Sequence, residues 1–151
     1  MQPEFILLDE PVSSLDISVR AQILNLLAEL QDRLGVAYLY ISHDLSSVRF
    51  ISTHVAVMYL GRIVEMGTVD EVFAHPRHHY TAALISAIPV PRPGAADTRT
   101  HLKGEVPSPL DRPAGCAFHP RCAAALPVCR TVLPVLAPMG PASLAACHNP
   151  I

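Results

Sequence analysis

Three features predict an α/β fold with a partial parallel sheet. A short apolar run stops at two acids and a proline, a helical stretch follows, and a second apolar, aromatic-rich run comes after a glycine. The first run is Phe5-Ile6-Leu7-Leu8, ending in Asp9-Glu10-Pro11, and reads as a buried strand that stops abruptly. A polar turn, Ser13-Ser14-Leu15-Asp16, precedes the helix, with Asp16 placed as its N-cap. Ile23, Leu26, Leu27, Leu30 and Leu34 give residues 17–34 a helical apolar face, opposite Arg20, Asn25, Glu29 and Asp32. Gly35 suits the helix stop. Val36 to Ile41 is the second strand, ending at Ser42-His43-Asp44. A strand, helix and strand with short connections form a βαβ unit, whose strands run parallel.

Leu45 to Ile51 reads as a short helix. His54 to Leu60 and Arg62 to Met66 read as strands around Gly61, a hairpin signal. Val69 to Ala74 and Tyr80 to Ala87 read as short helices separated by His75-Pro76. Between Pro89 and Pro113 six prolines fall in 25 residues without a period, which predicts an extended linker. The expected organisation is a first domain over 1–88, a linker over 89–113 and a Pro- and Cys-rich extension over 114–151. No internal repeat is visible.

The 151 residues suffice for one ordinary core, and a chain half apolar and 16% charged has a globular composition. A net charge of -2 gives no reason to expect nucleic-acid binding. No apolar run is long enough to span a bilayer and no secretory signal is visible, so a soluble chain that meets a membrane only through a partner is expected. Lysine occurs once, at Lys103. All four cysteines lie in the last quarter. A cytosolic protein keeps cysteines reduced, which favours metal or cluster binding over disulfides.

The carboxyl ends of strands are where α/β sheets gather functional side chains. An aspartate after four apolar residues is the Walker-B arrangement: Asp9 can hold a Mg²⁺ that bridges nucleotide phosphates, and Glu10 can polarise an attacking water. The plainer alternative is that both acids only cap a strand. His43, just past the second strand, can in its neutral form donate one hydrogen bond to a phosphate oxygen.

Leu-Leu-Asp-Glu-Pro, then Ser-Ser-Leu-Asp, a helix, a strand and Ser-His-Asp-Leu together resemble the ABC transporter ATPases, a branch of the P-loop NTPase fold. The resemblance implies ATP and Mg²⁺ as ligands, Asp9 as the magnesium residue, Glu10 as general base and His43 as the switch histidine. It also implies that Ser13 to Asp16 form a D-loop crossing a head-to-tail dimer interface, with Ser14 and Asp16 among the cofactor-binding residues and Asp16 signalling across that interface. Ser14 stands where alanine is common in the family and is nearly isosteric with it.

A glycine-rich loop ending in Gly-Lys-Ser/Thr is absent, and Lys103, in His-Leu-Lys-Gly-Glu, cannot replace it. The Leu-Ser-Gly-Gly-Gln signature and a glutamine lid are also absent. The chain thus resembles a family member without its N-terminal half, and a gene fragment, a misplaced start and a split subunit remain open. Weak or absent Mg·ATP binding, no hydrolysis by the chain alone, and exposed sheet edges that favour aggregation are expected.

Cys116, Cys122, Cys129 and Cys147 are spaced C-x5-C-x6-C-x17-C. A Zn²⁺ site, a [4Fe–4S] site, two disulfides and four separate thiols all remain open, although zinc usually wants closer pairs and an iron–sulfur cluster does not. Tyr80-Thr-Ala-Ala-Leu-Ile-Ser-Ala-Ile-Pro, then Gly-Glu-Val-Pro-Ser-Pro and the cysteine tail resemble the C-terminal extension of oligopeptide/dipeptide importer ATPases. That resemblance implies the four cysteines as [4Fe–4S] ligands, with zinc the alternative, in a structural or regulatory role. His75, His78, His79, His119 and His148 read as surface or capping residues.

The resemblance implies an ATP-hydrolysing subunit of a peptide importer. It would pair with a second ATPase subunit, bind transmembrane permease subunits, serve a solute-binding protein indirectly, and sit in the cytoplasm at the inner face of the membrane. The alternatives are a non-catalytic cluster- or metal-binding module and a relic of a truncated gene. Peptides, nickel and glutathione are carried by systems with similar ATPases, and the sequence does not distinguish them.

Overall fold

The computed structural model describes residues 3–89, 100 and 102–151. Residues 90–99 and 101, within the expected linker, lie outside the described residues. The chain divides into two units, Met1–Thr53 and His54–Ile151.

In the first unit, β1 (Phe5–Asp9) and β2 (Ala37–Ile41) pair in parallel, from Phe5 opposite Ala37 to Asp9 opposite Ile41. The crossover is α1 (Ile17–Leu34), and α2 (Leu45–Ile51) follows β2. Asp16 caps α1 by accepting the Val19 N–H at 2.9 Å. Gly35 ends α1 in the left-handed conformation, at φ 65°, where a side chain would be strained. The expected apolar face of α1 is rotated: Leu24 is its buried residue, while Leu26 and Leu34 are 49% and 59% exposed. Leucines on more than one side of a helix do not reveal which side the sheet covers.

Tyr38 donates its hydroxyl to the Leu27 carbonyl at 3.2 Å, which fixes one face of the β1–β2 pair against α1. The alternate residues Phe5, Leu7, Leu39 and Ile41 are between 44% and 56% exposed. Parallel sheets ordinarily bury both faces. Here one apolar face is bare.

In the second unit, β3 (His54–Tyr59) and β4 (Arg62–Thr68) form the expected antiparallel hairpin. Leu60 and Gly61 both take positive φ, at 46° and 74°, as a tight primed turn requires. Then come α3 (Val69–Ala74), α4 (His79–Ser86), single 3-10 turns at His119–Arg121 and Pro127–Arg130, and the strands β5 (Ala137–Gly140) and β6 (Ser143–Ala145). The sheet order is β3-β4-β6-β5.

The two last strands were not legible in the sequence. They have four and three residues, include Pro138, and are too short to alternate. Their place comes from pairing: Glu65, Met66 and Gly67 of β4 face Ala145, Leu144 and Ser143 of β6.

The core of this unit joins Val57, Tyr59, Val64 and Val72 to Cys116, Ala117, Phe118 and Cys129. The ring of Phe118 meets Tyr59, Tyr80 and His78 at centroid distances of 5.3, 5.4 and 5.6 Å. The cysteine tail therefore shares one core with β3 and β4. Packing divides the chain between Thr53 and His54, which differs from the expected partition into 1–88 and 114–151.

Glu65, on β4, is fully buried and accepts the main-chain N–H groups of Arg77 at 2.6 Å and His78 at 2.9 Å. Its carboxylate thus closes the turn that leads into α4. Glu65→Gln presents only one acceptor oxygen to two donors and lowers the stability of this unit by about 2 kcal/mol, read from denaturant unfolding.

Candidate functional site

Both strands of the first unit end at one rim because they are parallel. At the end of β1 the chain turns sharply: Glu10 has φ 47°, a left-handed conformation rare outside glycine and costly for a residue of this kind. The Glu10 N–H still reaches the Ile41 carbonyl at 2.9 Å, so the strained residue remains stitched to the end of β2. Ser13 supports the turn from below, donating its hydroxyl to the Glu10 carbonyl at 3.0 Å.

The turn aims the Glu10 carboxylate at His43. Oε1 accepts the His43 main-chain N–H at 3.1 Å and pairs with the ring Nδ1 at 2.8 Å. The other oxygen, Oε2, is shut off from solvent and has no hydrogen-bond partner among the described residues. An unpartnered buried carboxylate oxygen is an acceptor whose hydrogen bond is unmade. The His43 side chain is 77% exposed.

This contact constrains how His43 could reach a phosphate. With Glu10 ionised, Nδ1 must carry the proton that joins the two residues. A neutral His43 ring then has no N–H left on Nε2 and cannot donate to a phosphate. It donates there only as imidazolium, or after leaving Glu10.

Asp9 ends β1 with its residue exposed, and makes no hydrogen bond or ion pair to Glu10 or His43 among the described residues. The structure therefore joins two members of the expected trio and leaves the third beside them at the strand end. Ser14 is exposed in the following turn. Asp16 is committed to α1: it accepts the Val19 N–H and, at 2.7 Å, the Ser18 hydroxyl. These bonds hold its carboxyl below the ordinary value, the Val19 N–H contributing most.

Sequence reasoning missed Arg20, which it placed only on a polar helix face. Arg20 Nη1 pairs with Asp44 Oδ2 at 3.0 Å, and Nη2 donates to the Leu15 carbonyl at 3.2 Å. Asp44 caps α2 through Oδ1, accepting the Ser46 N–H at 3.0 Å. One guanidinium thus ties the turn before α1 to the residue after His43. Nothing short of the fold pairs positions 20 and 44.

In the second unit, the Cys116 N–H donates to the Cys129 carbonyl at 2.9 Å. His119 donates from its main-chain N–H and from Nδ1 to the Cys116 carbonyl, at 3.0 and 2.9 Å. Gly115 makes this approach possible, since a Cβ there would lie 2.5 Å from the Cys129 carbonyl oxygen. All four cysteines are free thiols. Burial, foremost, pushes the Cys116, Cys122 and Cys147 thiols up, and the Cys147 thiol also feels Cys116, Cys122 and Cys129. Cys116 and Cys129 lie in the core of this unit, with Cys122 packed against it. Among the described residues, however, no group of three or more His, Cys, Asp or Glu could hold a metal ion. Neither the expected iron–sulfur site nor the zinc alternative is shown by this arrangement. No helix among the described residues is long and apolar enough to cross a membrane.

Comparison with known proteins bears on both units. Residues 64–129 match the family described as the oligopeptide/dipeptide transporter, C-terminal region. Over 148 residues, 98% of this chain, it is 55% identical to a protein of Sinorhizobium fredii named as a probable peptide ABC transporter ATP-binding protein, covering 42% of that protein. It is 50% identical to the dipeptide transport ATP-binding protein of Haemophilus influenzae and 47% identical to the oligopeptide transport ATP-binding protein of Bacillus subtilis. These alignments cover 99% and 98% of the chain and 46% of each relative. The chain spans less than half the length of the relatives it matches. Strand-end acids, the cysteine-bearing core and these identities agree: the chain belongs to the peptide ABC transporter ATP-binding proteins and corresponds to a part of them that includes their C-terminal region.

Proposed function

We propose that this chain supplies the hydrolytic rim of an ATP-driven motor of the P-loop NTPase fold, serving import of peptides. The observation that carries the reading is the Glu10–His43 pair, held where two parallel strands end. Glu10 is the general base that orients the attacking water and takes its proton, a role that requires its carboxylate, whose Oε2 is covered here, to open towards the water. His43 fixes the carboxylate in place and, once protonated or released, turns to a phosphate oxygen. Asp9 would hold Mg²⁺, which, when bound with ATP, supplies charge neutralisation between the phosphates. Arg20 and Asp44 hold the Ser13–Asp16 turn against the His43 segment, so that events at a dimer partner reach the rim.

A phosphate-gripping Gly-Lys-Ser/Thr loop is absent from the 151 residues, so nucleotide affinity requires such a loop from outside them. A second ATPase subunit and membrane permease subunits complete the machine, placing the chain at the inner membrane face, with a solute-binding protein served indirectly. The test joins the N-terminal portion of the Haemophilus relative to this chain. Mg-dependent ATP hydrolysis that Asp9→Asn abolishes is expected. A folded chimera that binds ATP yet never hydrolyses it overturns the reading.

A second reading concerns the four thiols. It rests on the resemblance of the cysteine tail alone, since no metal-binding group is found among the described residues. Cys116, Cys122, Cys129 and Cys147 would hold it, in a structural role. An anaerobic preparation is expected to absorb as iron–sulfur proteins do and to lose both colour and the fold of the second unit on iron chelation. A colourless, iron-free protein with an intact second unit contradicts it.

A further inference from the structure

The pairing of β1 and β2 ends at Asp9 opposite Ile41, one residue short of Glu10 and two short of His43. Beyond that point the residue after His43 is held at every polar group. The Asp44 N–H donates to the Ser42 hydroxyl oxygen at 3.1 Å, its carbonyl accepts the Ser47 hydroxyl at 2.8 Å, and Oδ1 accepts the Ser46 N–H. Those three partners are sequence neighbours, and they shape only the local turn around His43. Oδ2 differs, because its partner Arg20 lies 24 residues away, on α1. Through the Leu15 carbonyl, the same guanidinium also holds the turn that follows Glu10.

Arg20 sits in the first turn of α1, where its N–H donates to the Asp16 carbonyl at 2.9 Å. A cation at a helix N-terminus opposes the helix dipole, so helix stability does not call for one here. Its ion pair with Asp44 has side chains 28% and 25% exposed, which limits screening by water and salt.

We propose that Arg20 is a positioning residue of the hydrolytic rim: by tying the Leu15 carbonyl to Asp44 it holds the His43 ring on Glu10. It acts through His43 and touches neither nucleotide nor water. Its effect on hydrolysis rests on the function proposed above, whereas its effect on the His43 ring does not. The task needs two directed donors. A lysine keeps the charge pair with Asp44 but has no second, fixed prong for the Leu15 carbonyl.

The test is imidazole ¹⁵N NMR on the full 151-residue chain, at a pH where the His43 ring is neutral, which reads the ring nitrogen that carries the proton. The wild type is expected to carry it on Nδ1, as the contact with an ionised Glu10 requires. R20Q is expected to move His43 towards the Nε2–H form, with R20K between the two. D44N keeps an oxygen for the Ser46 N–H but loses the charge that Arg20 meets, so it gives the same shift, and the double variant adds nothing to it. In the chimera, R20Q lowers kcat about tenfold and leaves KM for Mg·ATP unchanged, since the loss is one of orientation. A folded R20Q whose His43 keeps its proton on Nδ1, or a hydrolysing R20Q chimera with unchanged kcat, overturns the proposal. If R20Q fails to fold, D44N decides by the same signals. A wild type with the proton on Nε2 lacks the Glu10 contact and overturns this proposal and the proposed function together. A chimera that binds ATP without hydrolysing it overturns that function alone, and the ring proton still decides the role of Arg20.

Discussion

Glu10→Gln, in a chimera that carries the N-terminal portion of a relative ahead of this chain, lowers kcat for ATP hydrolysis about 100- to 1,000-fold and leaves Mg·ATP binding in place. The amide keeps the size of the side chain and the hydrogen bond from the His43 main-chain N–H. It loses the negative charge that takes a proton from water. The loss therefore falls on the chemical step and not on affinity. The companion variant Asp9→Asn should instead lose hydrolysis through lowered Mg²⁺ affinity. His43→Gln is diagnostic too. If His43 only positions Glu10, a glutamine that keeps the contact recovers part of the rate, whereas direct engagement of phosphate through an imidazolium leaves no such rescue. Steady-state kinetics against ATP and Mg²⁺ separate these effects. Equal loss of kcat and ATP affinity in Glu10→Gln contradicts the role assigned to Glu10.

The second unit loses up to about 3 kcal/mol of stability as pH falls from 6.5 towards 4, through His78 alone. His78 is 1% exposed, and burial, joined by the nearby His79, lowers its pKa from 6.5 to about 4. Its Nδ1 accepts the Tyr80 N–H at 3.1 Å, capping α4, so the ring must be neutral with its proton on Nε2. The sign follows from proton binding. Between the two values the unfolded chain holds a proton that the folded chain refuses, so acid favours unfolding. The contribution is fully present above pH 6.5 and is lost as pH falls towards 4. Protonation also breaks the Tyr80 cap at its acceptor. His78→Gln retains an acceptor for Tyr80 and removes the titration. Denaturant unfolding at several pH values, compared between the two proteins, isolates the imidazole from the carboxylates. An identical pH dependence in His78→Gln contradicts the prediction.

Local order was legible where the chain punctuates itself. Asp16, Gly35 and the apolar runs on either side of the helix fixed the βαβ unit, and the parallel pairing from Phe5–Ala37 to Asp9–Ile41 followed from connection length. The meeting of Glu10 and His43 at one rim is a consequence of that parallelism. What escaped depends on distant partners. The covered side of α1 is set by Tyr38 and the sheet, since its leucines do not single out one face. The strands around Pro138 exist because β4 offers them an edge. Glu65 reads as an ordinary strand acid until Arg77 and His78 bring their N–H groups to it. The use of the His43 proton on Glu10 is a matter of one distance, and no residue pattern encodes it.

The central claim is that Glu10 and His43 face one nucleotide phosphate position, beside a metal held by Asp9. In the same chimera, Mn²⁺ replaces Mg²⁺ and the paramagnetic relaxation of the His43 ring protons is measured with and without ATP. Strong broadening that requires ATP and disappears in Asp9→Asn is the predicted result. A His43 signal that stays sharp while Mn·ATP is bound contradicts the account.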